Sequence, residues 1–305
     1  MISKQSWKRG LFLLASIQFI FCSHVLAIGV LGLDTSSFYQ SAGGRSTSST
    51  SLSLGVEMER DGSVLETGIH AHVLSFISKP DAFGLYVPDL YVGTSKEFSQ
   101  HHRISIGRKN IKWTELDENW KMGLWSSRFT WDPVRPMLVG MTGVFYEMKY
   151  GLFQLKVFGS PLAVPEQGVP LVDDSGSLDS PSHGWVPLPQ RVGVLEQDLG
   201  IRYSIQTPAM KKILFRPHAG LQVSVGREEG MWVKGSYGYL PMHQTDIALE
   251  GKINARSLEF DAKIHPQFLR RHVVTGEAGF RTRSWQIWSS LSREVPDKPT
   301  LPDFC

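Results

Sequence analysis

Apolar and polar residues alternate along most of this chain, which is the pattern of a β-strand with one apolar face. The clearest stretch covers residues 212–226, in which apolar residues occupy odd positions and polar residues even positions. On the odd side lie Ile213, Phe215, Ala219, Leu221, Val223 and Val225, and on the even side Arg216, His218, Gln222 and Ser224. Residues 246–256 and 258–265 repeat the pattern, and no stretch predicts an amphipathic helix of similar quality. The chain is therefore predicted to be all-β.

The same alternation predicts further strands on both sides of these three. They cover residues 52–58, 65–77, 83–93, 103–111, 144–150, 152–158, 199–206, 231–239, 274–280 and 285–291. Pro88 interrupts one of them. Turn sequences at residues 60–62, 149–151 and 228–230 join neighbouring strands. We expect about thirteen antiparallel strands that pair in sequence order.

Four features favour a membrane barrel over a soluble sandwich. The strands are roughly 8 to 13 residues long, which suits a tilted membrane crossing. Their polar faces carry charges of both signs, aromatic residues cluster near strand ends, and short links alternate with long ones. The link lengths call for one more strand before Leu52, which residues 28–33 can supply. The predicted fold is an antiparallel up-and-down transmembrane β-barrel of about 12 to 14 strands.

The N-terminus has the features of an export signal. Lys4, Lys8 and Arg9 precede an apolar stretch at residues 11–22, and Val25-Leu26-Ala27 forms a small-residue cleavage site. Cys22 leaves a lipoprotein as the rival interpretation. Without the signal only Cys305 remains, so an internal disulfide is excluded.

These patterns divide the chain into four segments. We predict a signal peptide at residues 1–27, an N-terminal strand followed by a flexible Ser/Gly-rich segment at 28–49, the β-barrel at 50–294 and a C-terminal tail at 295–305. Three prolines from Pro296 onward exclude a central strand there. Either further strands follow the given chain, or the barrel ends near Leu291, or the fold is not a membrane barrel.

Residues 103–113, Arg-Ile-Ser-Ile-Gly-Arg-Lys-Asn-Ile-Lys-Trp, resemble a strand common in bacterial outer-membrane porin-like families. In those families a Gly-Arg pair, here Gly107-Arg108, lies on a barrel strand that a Trp closes, here Trp113. The resemblance implies passive diffusion or selective uptake of solutes, and it implies no catalytic residue. Arg108 falls on the apolar side of its strand unless Gly107 marks a bulge.

Charged residues on the polar sides of the strands are the candidate pore-lining residues. They are Arg103, Lys109, Glu147, Lys156, Arg202, Arg216, Lys234, Glu250, Lys252, Glu259, Asp261 and Lys263. The alternative interpretation treats them as ordinary solvated strand faces.

The segment from Trp113 to Met137 is the richest loop. It holds the candidate ligand-binding residues Trp120, Trp125, Arg128, Trp131 and Arg135. Such a loop can fold into the lumen, with its Trp rings stacking on sugars or other flat solutes and its Arg residues binding anions. Alternatively, the aromatic residues anchor the loop to the barrel rim or form a small local core.

The composition and the remaining motifs exclude several function classes. With 32 basic and 29 acidic residues among 305, the net charge of +3 gives no sign of a nucleic-acid-binding protein. No hydrolase or metalloprotease motif is present. His101 and His102 are adjacent on a strand and so point to opposite faces. A calcium site with Asp173, Asp174 and Asp179 is the less favoured interpretation of the loop at 159–191.

We therefore expect a non-enzymatic, porin-like channel of the bacterial outer membrane, without cofactor or metal. Its expected partners are outer-membrane lipids, small solutes and the barrel-assembly machinery, and not nucleic acid. The alternatives are a closed barrel that serves structure or adhesion, and a periplasmic β-sandwich that binds glycans. An outer-membrane hydrolase is a weaker third alternative.

Overall fold

The structure is a computed structural model that describes residues 15–21, 25–37, 48–77, 79–132, 135–168, 172–174, 177–179, 191–194, 197–206, 208–227, 229–243, 246–254 and 259–297. The predicted Asp173, Asp174 and Asp179 side chains and the tail beyond residue 297 lie outside the described part.

The chain forms strands throughout and has two short helices. Its first part contains β1 (Ala15–Phe21), β2 (Val25–Ser37), β3 (Ser48–Asp61), β4 (Leu65–Phe76), β5 (Lys79–Thr94), β6 (His102–Lys109), α1 (Glu115–Trp120), β7 (Arg128–Thr130), β8 (Met137–Leu138), β9 (Met141–Tyr150) and β10 (Phe153–Leu162). The remainder contains β11 (Gln167–Gly168), β12 (Val172–Asp174), β13 (Ser177–Asp179), β14 (Arg191–Val194), β15 (Gln197–Ile205), α2 (Met210–Leu214), β16 (Phe215–Gly226), β17 (Gly230–Pro241), β18 (Asp246–Asn254), β19 (Glu259–Gln267), β20 (Arg270–Arg281) and β21 (Gln286–Pro296).

Twelve strands form one antiparallel sheet in the order β1-β2-β3-β4-β5-β6-β9-β10-β16-β17-β20-β21. Among the described residues, β1 pairs only with β2, and β21 pairs only with β20. Most of these strands are longer than the five or six residues usual in soluble proteins. The prediction of an all-β chain with antiparallel pairing is confirmed.

Three strands that were predicted for the main sheet lie elsewhere, which corrects the expected sequence-order pairing. β15, β18 and β19 join β14 in a separate four-stranded sheet, and β15 pairs with β19 in parallel. Alternation specifies one apolar face, which both sheets provide, so it cannot tell which sheet a strand joins.

Two strands of the main sheet overlap the predicted signal peptide. β1 lies wholly within residues 1–27, and β2 begins at Val25 and extends through the extra strand expected at residues 28–33. An apolar run of this length fits either a signal peptide or a strand, and cleavage after Ala27 stays a prediction.

At the C-terminus, β21 continues past Leu291 to Pro296, beyond the predicted end of the last strand. Proline is tolerated there because it lies at the end of a strand that is bonded on one side in the described sheet.

The strands of the large sheet alternate between two faces that differ in their surroundings. One face, which we call the insert face, packs against residues 111–132 and 135–140, the segment that we call the insert. The opposite face, which we call the open face, carries exposed apolar side chains. On five neighbouring strands it includes Ile104, Ile106, Val144, Val157, Leu221, Val225, Val233 and Tyr237, all of them exposed.

The links between strands of the large sheet differ in length at its two ends. At the end that we call the turn end, two residues join β9 to β10 and three residues join β3 to β4 and β16 to β17. At the other end, which we call the loop end, lie the insert between β6 and β9, the link from β10 to β16 and the link from β17 to β20. The second sheet is built from these two later links.

None of the helices in the described part of the chain is long and apolar enough to cross a membrane.

Candidate functional site

Helix α1 of the insert is fixed to strand β20 by a buried carboxylate. The Thr114 hydroxyl caps the helix by accepting the Asp117 N–H at 3.0 Å. The Glu277 side chain from β20 accepts the Glu115 N–H at 2.8 and 3.0 Å and the Leu116 N–H at 3.2 Å. Because Glu277 is 3% exposed, it satisfies two helix-end donors that water does not reach. A strand residue far along the chain therefore completes the helix N-terminus.

The turn after α1 is held by two further charges. The Asp117 carboxylate accepts the N–H groups of Gly123, Leu124 and Trp125 at 2.7 to 3.0 Å. Arg271 of β20 donates to the carbonyl oxygens of Gly123 and Leu124 at 2.8 and 3.0 Å and pairs with Glu294 of β21. The insert is thus bound to the sheet at both ends of α1.

Trp125 fills the space that two glycines leave on the insert face. Its ring stacks on Trp113 with centroids 4.6 Å apart and is fully buried. A Cβ atom at Gly220 or Gly238 would lie 2.9 Å from the Trp125 ring. The side-chain amide of Gln222, on strand β16, donates to the carbonyl oxygen of Trp113. Small residues on neighbouring strands therefore accommodate the largest side chain of the insert.

The second half of the insert packs against β4 and β5. The Trp131 ring stacks on the Phe76 ring with centroids 4.6 Å apart, and the centroids of the Phe129 and Tyr86 rings are 5.2 Å apart. Arg128 forms a 2.9 Å ion pair with Glu166. The insert therefore contacts strands from β4 to β20.

A row of polar side chains crosses the insert face beside the insert. Cross-strand partners place Arg103, Glu147, Lys156, Gln222, Ser236 and Thr275 side by side on six strands. Glu147 pairs with Arg103 at 3.4 Å and with Lys109 at 3.3 Å. Lys156 donates to the Lys112 carbonyl oxygen at 3.1 Å. Four of the predicted pore-lining residues are thus brought together.

Around Glu115 the insert adds a second group of charges. Its carboxylate pairs with Lys112 at 2.7 Å, Arg281 at 3.2 Å and Lys234 at 3.6 Å, and Lys234 pairs with Glu277 at 3.3 Å. Burial alone would raise the pKa of Glu115, but Lys112 and Lys234 hold it below its ordinary value. Glu115 and Glu277 are thus both paired with cations of the insert or the strands.

The N-terminal strands carry an acidic and histidine-containing group on the same face. His70 lies 3.6 Å from Glu59 and 3.4 Å from Asp89, and His72 lies 3.6 Å from Glu57. Within the described residues no group of three or more His, Cys, Asp or Glu is arranged to hold a metal ion.

Seven predicted pore-lining residues do not join these groups. Arg202, Glu250, Lys252, Glu259, Asp261 and Lys263 lie on the second sheet. Arg216 lies at the loop end of β16, where it donates to the Lys212 carbonyl oxygen.

Of the predicted loop residues, only Trp120 presents an exposed ring, at 71%. Trp125 and Trp131 are buried and so offer no free ring face for a solute. Arg128 pairs with Glu166, and Arg135 pairs with Asp132 at 2.9 Å. Trp125 and Trp131 therefore belong to a local hydrophobic core, as the alternative interpretation of this loop predicted.

The two predicted special positions of β6 behave differently. Gly107 has φ of 128°, yet the pairing of β6 with β5 and β9 continues without a register shift. Arg108 stays on the open face, where it donates to Thr142 at 3.1 Å and to the Val87 carbonyl oxygen at 3.2 Å. His101 and His102 contact different tyrosines, Tyr150 and Tyr146.

The open face of the large sheet is apolar and exposed, whereas the insert face carries charged residues together with the buried apolar core. Nine strands of this sheet, from β3 to β10 and from β17 to β21, have a charged residue on the insert face: Glu57, Glu66, Asp89, Arg103, Glu147, Lys156, Lys234, Glu277 and Glu294. The open face has apolar residues with much of their surface exposed, such as Met231 at 80% and Leu291 at 79%. A soluble sheet buries its apolar face and solvates its charged face.

No protein-family model and no curated protein matches the chain. The porin-like resemblance therefore stays a prediction.

Sequence reasoning missed the residues that hold the insert. Glu277 and Arg271 lie in β20, and Gln222 lies in β16. In the sequence all three appear only as polar residues of an alternating strand. His243 was also missed: its Nε2 hydrogen-bonds to the Trp125 carbonyl oxygen at 3.0 Å, and burial, together with Arg271, lowers its pKa to about 3. The only signal was the presence of charged and amide side chains on strands that face the Trp-rich loop.

Proposed function

We propose that this chain is a porin-like β-barrel of the bacterial outer membrane, through which small solutes diffuse. The single observation that carries the proposal is the exposed apolar open face of the large sheet, opposite a face that bears charged residues. Apolar side chains along the open face are costly in water and favourable in lipid. Charged side chains along the insert face suit a water-containing interior.

The dimensions of the open face support contact with a bilayer. Along β17 its apolar residues run from Met231 to Tyr239, a distance of about 27 Å at the usual rise per residue. After the tilt typical of membrane barrels, this corresponds to about 20 Å along the membrane normal, close to the usual apolar band of about 25 Å. A soluble sandwich would instead cover these residues with a second sheet.

Closure of the barrel is part of the proposal. The insert contacts strands from β4 to β20, and the sheet has its longest links at one end. We propose that β21 closes against the N-terminal edge of the sheet. If the signal peptide is removed, that edge is the remaining part of β2, and closure removes two strand edges that cannot be left unpaired in lipid.

The insert determines how wide the passage is. It packs on the insert face from β4 to β20, and charged side chains from both the insert and the strands line the remaining interior. The proposed channel is therefore narrow, with small hydrated solutes as its cargo. The glycan-binding alternative is less well supported, because Trp125 and Trp131 are buried.

A planar-bilayer recording tests the proposal. Mature chain folded into lipid is expected to give discrete conductance steps. Lys156→Glu on the insert face should shift the cation-to-anion permeability ratio toward cations, whereas the matched control Lys252→Glu on the second sheet should not. A folded product that stays in solution and never inserts would refute the membrane barrel.

A second candidate function is a closed barrel with a structural role. The observation that favours it is the double anchoring of the insert by Glu277 and Arg271, which gives a fixed and well-packed interior. Insertion into lipid without any conductance would select this function over the channel.

A further inference from the structure

A group of basic residues lies at the loop end of β16 and β20. Helix α2 contributes Lys211 and Lys212, and the first residues of the two strands contribute Arg216 and Arg270. Two exposed apolar residues, Met210 and Phe215, lie beside them. We call these six residues the basic rim.

The four cations of the basic rim have no carboxylate within ion-pair distance among the described residues, unlike Arg103, Lys109, Lys112 and Lys234 in the interior. The Arg216 guanidinium lies over the Phe268 ring at 4.7 Å, and that of Arg270 lies over the Tyr239 ring at 5.4 Å. Asp297, whose backbone N–H donates to the Arg270 carbonyl oxygen at 2.8 Å, accepts a hydrogen bond from the Tyr239 hydroxyl at 3.0 Å. The basic rim therefore has positive charge that no carboxylate of the described residues neutralises.

The basic rim continues the open face of the sheet. Phe215 precedes the open-face residues Ala219 and Leu221 on β16, and Arg270 pairs with Pro241 beside the open-face Tyr239. Arg270 and the apolar Phe215 therefore lie at the loop end of the open face, whereas Arg216 alternates with His218 and Gln222 and so begins the insert face of β16.

We propose that the basic rim binds the anionic phosphate headgroups of membrane lipids in the leaflet at the loop end. This inference rests on the proposed membrane location of the open face. Phosphate oxygens supply the missing negative charge for Lys and Arg donors. Met210 and Phe215 contact the acyl region below the phosphate, as expected of apolar residues at a membrane interface.

The test measures how many anionic lipids stay bound to the folded full chain. Wild type and the triple variant Lys211→Gln, Lys212→Gln, Arg270→Gln are folded into vesicles of mixed phosphatidylglycerol and phosphatidylcholine. Native mass spectrometry then counts the lipids that each retains. Arg216 is left unchanged because it also holds the end of α2 through Lys212.

Wild type is expected to retain phosphatidylglycerol in preference to phosphatidylcholine. Each neutralised cation should weaken that preference roughly fivefold, and the triple variant by about 100-fold. The matched control, Arg60→Gln, Lys96→Gln, Arg227→Gln, removes three exposed cations at the turn end and should keep the preference at the basic rim.

Three results would overturn the inference. One is equal retention by wild type and the triple variant, and another is an equal loss in the turn-end control. The third is displacement of the lipid by inorganic phosphate at matching concentration, which would assign the site to a free anion. Insertion into pure phosphatidylcholine vesicles is measured separately, so failure of the membrane proposal is distinguished from failure of this one.

Discussion

Removing the Glu277 carboxylate is expected to weaken the attachment of the insert more than any comparable exposed ion pair. In Glu277→Ala, the Glu115 and Leu116 N–H groups lose their acceptor, and each buried unsatisfied donor costs about 1–3 kcal/mol. Lys234 also loses its 3.3 Å partner and keeps only Glu115 at 3.6 Å. Breaking a buried pair costs about 3–5 kcal/mol, so we expect a loss of about 4 kcal/mol in the free energy of unfolding.

Urea unfolding of the lipid-folded protein, followed by Trp fluorescence, measures this loss. Glu277→Gln keeps one acceptor oxygen and is expected to lose about half as much. The matched control is Glu250→Ala on the second sheet, where the carboxylate is 39% exposed and pairs with His265 at 3.3 Å. That control should lose less than about 1 kcal/mol. Equal losses for Glu277→Ala and Glu250→Ala would refute the anchoring role of Glu277.

Three further perturbations test the packing around the insert. Trp125→Ala removes a fully buried ring and should cost about 3–5 kcal/mol in urea unfolding, whereas Trp120→Ala, at a 71% exposed ring, should cost less than about 1 kcal/mol; similar costs would contradict the buried stack. Gly238→Ala places a Cβ 2.9 Å from the Trp125 ring and should destabilise the protein by about 1–3 kcal/mol. Gly235→Ala is the control on the same strand, because a Cβ there has no atom within 4 Å, and it should not destabilise. A lower melting temperature for Gly235→Ala than for Gly238→Ala would disprove the close approach. Burial lowers the pKa of His243 to about 3 in the folded protein, whereas in the unfolded chain it is about 6.5. Between these two pH values the unfolded chain binds a proton that the folded protein does not. The free energy of unfolding is therefore lost as the pH falls from about 6.5 to about 3, by at most about 5 kcal/mol. Stability measured against pH should show less of this loss in His243→Gln, and an unchanged pH dependence in the variant would rule out His243 as its source.

Much of the fold is predictable from sequence because strand pairing requires a period of two. The alternation in residues 212–226 and 231–239 predicted β16 and β17 on adjacent positions of the large sheet. The same signal misassigned β18 and β19, because an amphipathic strand fits a small peripheral sheet as well as a large one. Helix α1 was missed because six residues give too little periodicity to recognise.

The candidate site was less predictable than the strands. The polarity of Arg103, Glu147 and Lys156 follows from alternation, so their shared face could be inferred. The attachment of α1 to Glu277 depends on a contact between positions far apart in the chain, for which local sequence has no signal. The burial of Trp125 likewise depends on two glycines on other strands.

The central claim is that the open face contacts lipid while the insert face contacts water or protein. Nitroxide labels at single cysteines test it directly, in a background in which Cys22 and Cys305 are replaced by serine. Labels at Val157→Cys and Leu221→Cys on the open face should collide with oxygen dissolved in the bilayer and be protected from a water-soluble nickel complex. A label at Val64→Cys in the exposed β3–β4 turn should show the reverse. Open-face labels as accessible to the nickel complex as the turn label would contradict a membrane location for this sheet.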